Sequence, residues 1–192
     1  MEDNHGLFEV LKNYKNVLPI FIFDPEILDK LPKDDARVNF IYEQLKVLND
    51  NLDTNQKINT YYERPEQVFN QLISEFPIEA VYTNHDYEPY AIARDKAISD
   101  LLNLKSIVYK SYKDQVIFER NEVTKDDGLP YKVYTPYSKK WLSAFNEKCI
   151  DAYPSENLLK YISKMDCNLW VPLESMGFSS SKLKIAHFKM DT

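Results

Sequence analysis

The stretch Asn84-His85-Asp86-Tyr87-Glu88-Pro89-Tyr90 gathers an amide, an imidazole, two carboxylates and two phenols. Such a set can bind a polar ligand or exchange protons. It follows a short strand-like run at 80–83 and leads into a helix opened by Pro89. Ligands in open α/β sheets lodge at the carboxyl ends of strands, which makes this the place to look for a site. Phe23 and Asp24 hold the corresponding position after an earlier apolar run, and Arg37 is able to add a positive charge. The same residues have plain structural uses. Glu88 can cap the helix through its first-turn N–H groups, and the tyrosines can pack. In Arg94-Asp95 a buried guanidinium needs a carboxylate such as Asp24 or Glu88, so an ion pair is its plainest role.

Other chemistries lack their residues. Gly6, Gly128 and Gly177 are the only glycines. A dinucleotide fingerprint or a phosphate-cradling loop needs several close together, so that backbone can approach phosphate. His5, His85 and His187 are far apart, and neither Cys149 nor Cys167 has a second thiol at ligand spacing, so no zinc site is expected. A Gly-x-Ser-x-Gly nucleophile elbow is missing.

The elements that must position these residues alternate in period. Residues 4–14 read as a helix capped by Asp3 or Asn4, with Leu7, Val10 and Leu11 on one face. Residues 17–23 form a continuous apolar run ending at Asp24-Pro25, as a strand buried on both faces would. Residues 34–52 place Val38, Ile41, Leu45, Leu48 and Leu52 at helical steps. A short strand at 58–62, a helix from Pro65, a strand at 80–83 and a helix from Pro89 repeat the pattern, and 106–109 and 116–118 read as short strands. Strand alternating with helix predicts right-handed βαβ units in an open parallel sheet. Beyond Phe118, 125–128 is a turn signal, 131–134 reads as extended and 138–145 as a helix. From Tyr153 onward periodicity fades, and Ser179-Ser180-Ser181 reads as a flexible patch.

Composition narrows the class. A chain of 192 residues with 44% apolar and 28% charged residues can bury its own core. The formal charge of −6 argues against a generally basic nucleic-acid-binding surface. Two cysteines and no signal-like N-terminus point to a reducing, cytoplasmic setting. The longest apolar run is too short to cross a bilayer.

The order of motifs also carries a family likeness. Asn84 to Tyr90 with Arg94-Asp95, then Asp114-Gln115-Val116-Ile117, then Gly128-Leu129-Pro130-Tyr131-Lys132-Val133-Tyr134-Thr135-Pro136-Tyr137-Ser138-Lys139-Lys140-Trp141, resembles the N-terminal domain of DNA photolyases and cryptochromes. Asp3-Asn4 and Ala36-Arg37-Val38-Asn39-Phe40 fit the same pattern. The resemblance implies a Rossmann-like α/β domain over residues 2–148, followed by an interdomain linker or tail over 149–192. It implies a light-harvesting antenna chromophore, a folate, deazaflavin or flavin, that passes excitation to FAD. FAD binding, DNA binding and repair chemistry then belong to a helical C-terminal domain that the chain lacks, so the chain is expected to be incomplete and not catalytic alone. Folate-binding members place an Asn-Glu pair where this chain has Tyr90-Ala91, which favours flavin or deazaflavin. The expected chromophore residues are Phe23, Asp24, Arg37, Asn84, Asp86, Glu88 and Tyr90. Trp141 is assigned to packing, against the missing domain. The alternatives are a stand-alone α/β module that binds a small molecule or protein, and a cryptochrome-like signalling fragment.

One departure from the family is structural. Its first, central strand should precede Asp3, where this chain has only Met1 and Glu2. Five or six apolar side chains at about 1.5 to 3 kcal/mol each rival the whole stability of a domain, about 5 to 15 kcal/mol. Either the strands at 17–23 and 80–83 pair with each other, or another chain fills the space, or the proper start lies upstream; a homo-oligomer through exposed strands is the expected state.

Overall fold

Pro19 decides where the first strand begins, because proline has no N–H to give to a ladder. The computed structural model describes residues 1–145, 151–164 and 169–181. In it the 17–23 run is split: Ile20–Phe23 forms β1, and Val17 makes only an isolated parallel bridge to Ile162. The other elements are helices α1 (His5–Asn13), α2 (Pro25–Leu28), α3 (Ala36–Asp50), α4 (Pro65–Glu75), α5 (Pro89–Leu104) and α6 (Tyr134–Ala144), and strands β2 (Asn59–Tyr62), β3 (Ala80–Asn84) and β4 (Val108–Tyr112). The expected strand at 116–118 is not formed. Ser106, with φ 57°, turns the chain out of α5, so β4 starts later and runs longer than the 106–109 reading. Helix α6 starts at Tyr134 rather than Ser138, after an extended Val133.

The fold is α/β with parallel sheets flanked by helices. The chain divides into two compact units, one built from Tyr14–Glu79 with the residues from Leu159 onward, the other from Met1–Asn13 with Ala80–Leu158.

In the first unit β1 pairs in parallel with β2, Ile20 opposite Asn59 and Phe23 opposite Tyr62. Val38, Tyr42 and Leu45 of α3 and Val68, Phe69 and Leu72 of α4 are buried. Ile41, on the expected inner face of α3, is exposed, and Tyr42 takes its place. From Leu159 onward, the described part of the 149–192 region is packed into this unit. Backbone at 169–171 runs beside β2: Thr60 N–H donates to the Leu169 carbonyl at 2.8 Å, and Val171 N–H donates to Thr60 Oγ1 at 2.8 Å. Leu173, Met176 and Phe178 are buried, and the Trp170 indole N–H donates to the Tyr42 hydroxyl at 2.9 Å. The 179–181 patch is likewise tied down. Ser179 N–H donates to the Lys33 carbonyl at 2.8 Å and Ser181 N–H to Asn39 Oδ1 at 3.0 Å. These anchors are backbone bonds and a few scattered apolar residues, which leave no period to read. Cys149, Cys167, His187 and the 148/149 boundary lie outside the described residues.

In the second unit β3 pairs in parallel with β4, Ala80 opposite Val108 and Asn84 opposite Tyr112. Helix α1 lies against both strands and α5 against β4. Leu11 of α1 and Leu102 of α5 are fully buried. All five residues of β3 are half-buried, unlike a strand covered on both faces. Among the described residues neither ladder has a third strand.

Met176 is 2% exposed and Leu169 is 44% exposed. Met176→Ala is expected to cost about 2–5 kcal/mol by cavity formation, whereas Leu169→Ala should stay within about 0.5 kcal/mol. Denaturant unfolding of both variants checks this; equal, negligible effects would mean that the C-terminal segment is not part of the folded unit.

Candidate functional site

An α-helix leaves its first N–H groups without intrahelical partners. At α1 three separate side chains meet them. Leu7 N–H donates to Asn4 Oδ1 at 2.8 Å, Gly6 N–H to Asn84 Oδ1 at 2.7 Å, and His5 N–H to Asp114 Oδ1 at 2.8 Å. Asn84 also donates from Nδ2 to Asn4 Oδ1 at 3.1 Å. The amide at the carboxyl end of β3 is thus spent on holding α1. The His5 ring stacks on Tyr153 at 3.8 Å, and its Nδ1 lies 2.8 Å from the Lys113 carbonyl. Tyr153 N–H in turn donates to Asp3 Oδ1 at 2.9 Å.

The 84–90 segment continues this pattern. His85 N–H donates to the Tyr112 carbonyl at 3.0 Å, just past the end of β4. Asp86 Oδ1 accepts from Tyr87 N–H at 2.6 Å and from Glu88 N–H at 3.2 Å. These backbone donors, Glu88's first, hold the Asp86 carboxyl below its ordinary range. Asp86 therefore satisfies the turn into α5, and the Glu88 side chain makes no cap bond, contrary to the expected capping role. Glu88 and Tyr90 are exposed. Arg94 pairs with its neighbour Asp95, Nη2 to Oδ1 at 2.7 Å.

A constellation with no local sequence signal joins β3 to β4 here. His85 Nδ1 lies 3.0 Å from Ser111 Oγ, and Nε2 lies 2.6 Å from Glu119 Oε1. An ionised Glu119 can only accept, so Nε2 carries the proton and the Ser111 hydroxyl donates to Nδ1 in the neutral ring. Burial and the neighbouring Glu119 carboxylate push Tyr87 up to about 12. Lys113 Nζ closes the segment after β4 onto Glu122 at 3.0 Å. These partners lie 26 and 34 residues from His85, beyond any motif spacing.

The expected residues of the first unit are also engaged locally. Phe23 is buried, its ring 4.9 Å from Phe21. Asp24 is buried and caps α2, accepting from Glu26 N–H at 2.9 Å. Arg37 grips Asp35 with two nitrogens, Nε to Oδ1 at 3.0 Å and Nη2 to Oδ2 at 2.7 Å. That fork holds Asp35 down to about 2 and meets the Arg37 charge. Two cavities within the units are small. One of about 230 Å³ lies beside Asp3, Lys113, Asp114 and Tyr153, and one of about 160 Å³ beside Lys46, Lys57 and Trp170. Both fall below the ~300–1,000 Å³ usual for ligand sites, and neither is lined by an expected chromophore residue. Among the described residues no cluster of three or more His, Cys, Asp or Glu could hold a metal, and no helix is long and apolar enough to cross a membrane.

The DNA photolyase family model matches residues 1–156. The chain belongs to the DNA photolyase family. A deoxyribodipyrimidine photo-lyase of Synechococcus is 28% identical over 142 residues, covering 73% of this chain and 29% of that enzyme. A bacterial class III photolyase from Agrobacterium tumefaciens superposes with a TM-score of 0.71 at 22% identity, over 95% of this chain and 34% of that one. An archaeal photolyase from Sulfolobus tokodaii gives 0.62 at 23% identity, over 88% and 40%. The chain spans about a third of these photolyases, and the shared part is their N-terminal α/β domain.

Two predictions arise from this geometry. Alanine is a better helix former than glycine by about 1 kcal/mol, yet a Cβ on Gly6 would stand 2.6 Å from Asn84 Oδ1 and 3.1 Å from the Thr83 carbonyl carbon and oxygen. Gly6→Ala should therefore destabilise the protein in chemical denaturation; a gain in stability would refute the close approach. Asp35 should titrate near 2, and return toward 3.8 in Arg37→Ala. Because the folded value is depressed, its stabilising contribution is present above the ordinary value and fades as pH falls from there to about 2. Carboxyl NMR titration reads both; an unchanged midpoint in the variant would show that the fork is not its cause.

Proposed function

We propose that this chain is the antenna-chromophore domain of a photolyase-type protein, and that its chromophore is a flavin or deazaflavin rather than a folate. The observation that carries the reading is the DNA photolyase match across residues 1–156. Support for the flavin class comes from the Sulfolobus photolyase, solved with two FAD molecules and an implied novel light-harvesting cofactor. Ala91 is buried, so the glutamate of an Asn-Glu pair at 90–91 would have to enter the packed side of α5, which disfavours folate.

The expected chromophore residues fall in both units, Phe23, Asp24 and Arg37 in the first and Asn84, Asp86, Glu88 and Tyr90 in the second; the proposed contacts are the latter four, at the end of β3 and the start of α5, on the strand-end rule. Local bonds already engage these strand ends: Asp24 and Asp86 hold turns, Asn84 holds α1, and Arg37 holds Asp35. Their polar atoms are therefore fixed in orientation before a ligand arrives. Glu88 and Tyr90, exposed at the start of α5, present an acceptor and an aromatic ring. The chromophore would absorb light and pass excitation to FAD in the part of a photolyase that this chain does not span.

Fluorescence titration with FAD, a deazaflavin and a reduced folate tests the reading. Flavin or deazaflavin should bind at least tenfold tighter than folate, and Glu88→Ala and Tyr90→Ala should weaken that binding. Tighter folate binding overturns the chromophore class, and failure of all three to bind overturns the antenna role. Under blue light the purified chain should leave cyclobutane dimers in DNA unrepaired, because the reducing flavin belongs to the remainder of a photolyase. Dimer loss read by chromatography would defeat this division of labour.

A further inference from the structure

Successive side chains of a strand point to opposite faces of its sheet. Asn84 and Tyr112 lie on the face of the β3–β4 ladder that meets α1, through the Gly6 N–H and the His5 ring. Thr83, Tyr109 and Ser111 therefore share the other face, with Thr83 opposite Ser111. His85 follows β3 and keeps its phase, because its N–H still donates to the Tyr112 carbonyl at 3.0 Å. Parallel pairing thus sets an imidazole, two aliphatic hydroxyls and a phenol side by side, and Glu119 reaches them from the segment after β4.

The contacts among these groups are those of an activated hydroxyl. Ser111 Oγ lies 3.0 Å from His85 Nδ1, and Glu119 Oε1 lies 2.6 Å from Nε2. The carboxylate selects the tautomer in which Nδ1 carries no proton and faces the hydroxyl. Nucleophile, base and orienting carboxylate are the parts that serine acyl transfer needs, and they are recognised by geometry and role rather than by chain order. The ring can take a proton from the serine at either nitrogen, provided that the other is held. Tyr109 Oη lies 3.0 Å from Thr83 Oγ1; when the threonine donates, the phenol proton is left for a neighbouring oxyanion. Ser111 is exposed, whereas the side chains of His85 and Glu119 are 28% and 30% exposed. A substrate can therefore reach the hydroxyl while the base stays half-covered.

We propose that Ser111, His85 and Glu119 form an acyl-transfer site that hydrolyses small carboxylic esters. Ser111 Oγ attacks the ester carbonyl carbon as Nδ1 takes its proton, and Tyr109 meets the oxyanion that forms. The carbon–oxygen bond to the alcohol then breaks, and the alcohol leaves with the proton from Nδ1. Water next gives a proton to Nδ1 and its oxygen to the acyl carbon; the acid departs and Ser111 recovers its proton from Nδ1. Glu119 touches no reacting atom and is a positioning residue. Neither cavity described above is lined by these residues, so the site takes a short acyl group and relies on a good leaving group such as a phenol. It uses none of the residues proposed to hold the chromophore, so the two readings stand or fall separately.

The test treats the purified full chain with a fluorophosphonate, whose phosphorus bonds to an activated serine with loss of fluoride, and assays it with para-nitrophenyl acetate. Mass mapping should place the label on Ser111 and not on Ser74, an exposed serine whose hydroxyl donates to the Gln71 carbonyl at 2.7 Å. Ser111→Ala should abolish labelling. His85→Ala should slow labelling and lower kcat by about a hundredfold, and Tyr109→Phe should lower kcat as well. Glu119→Gln should lower kcat at an unchanged KM, with partial recovery in Glu119→Asp. Circular dichroism of each variant separates loss of chemistry from loss of fold, and labelling of the wild-type chain needs no variant. The proposal is overturned by an unlabelled Ser111, by equal labelling of Ser74, or by labelling and turnover that persist in folded His85→Ala or Glu119→Gln.

Discussion

The second unit depends on one close approach, Gly6 against the end of β3. Three orphan N–H groups of α1 find side-chain acceptors, those of Gly6 and Leu7 in part-buried bonds and that of His5 in an exposed one, and a donor left without a partner costs up to about 1–3 kcal/mol as burial becomes complete. Asn4, Asn84 and Asp114 supply them from three places in the chain. The Gly6–Asn84 bond closes at 2.7 Å only because residue 6 has no Cβ. Once it forms, α1 is fixed on β3 and β4, His5 reaches the Lys113 carbonyl, and the 151–155 segment is tied to Asp3 and Met1. A net of this kind resists piecemeal change, because each amide or carboxylate serves two elements.

Much of the element order could be read in the sequence, and the reasons are local. Pro65 and Pro89 open helices because their fixed φ suits a first turn, and both do so. Gly128 turns the chain at φ 78°, its N–H donating to the Lys125 carbonyl at 2.9 Å, as the 125–128 signal predicts. Misreadings arise where tertiary contacts outweigh pattern. The β-prone run 116–118 stays out of a ladder, and the Ile117 carbonyl accepts from Lys113 Nζ at 3.0 Å. The C-terminal segment reads as loose because its order comes from backbone pairing along β2 and from single buried residues such as Met176.

For the candidate site, position was legible and partnership was not. The residues at strand ends were found because strand-to-helix junctions are marked by proline and polar clusters. Their partners were not: Arg37 pairs with Asp35, two positions away, rather than standing as a free charge, and Asp86 rather than Glu88 serves the α5 turn. His85 illustrates the limit. Its bonds to Ser111 and Glu119 exist because parallel pairing of β3 with β4 brings distant segments together, and no spacing rule anticipates that.

Local engagement changes what a ligand can gain at these positions. A carboxylate or amide already held by backbone loses little further freedom on binding, which lowers the entropic cost of recognition. The same engagement removes charge. With Asp35 held down to about 2, the Asp35–Arg37 pair is close to neutral at any physiological pH, so an anionic group such as a flavin phosphate finds little net attraction there. For the proposed chromophore, aromatic contact then falls to exposed rings such as Tyr90. A stacking-dominated chromophore fits that balance better than one held by charge, since stacking asks for an apolar face and a fixed frame, and the fold supplies the frame through its own capping bonds.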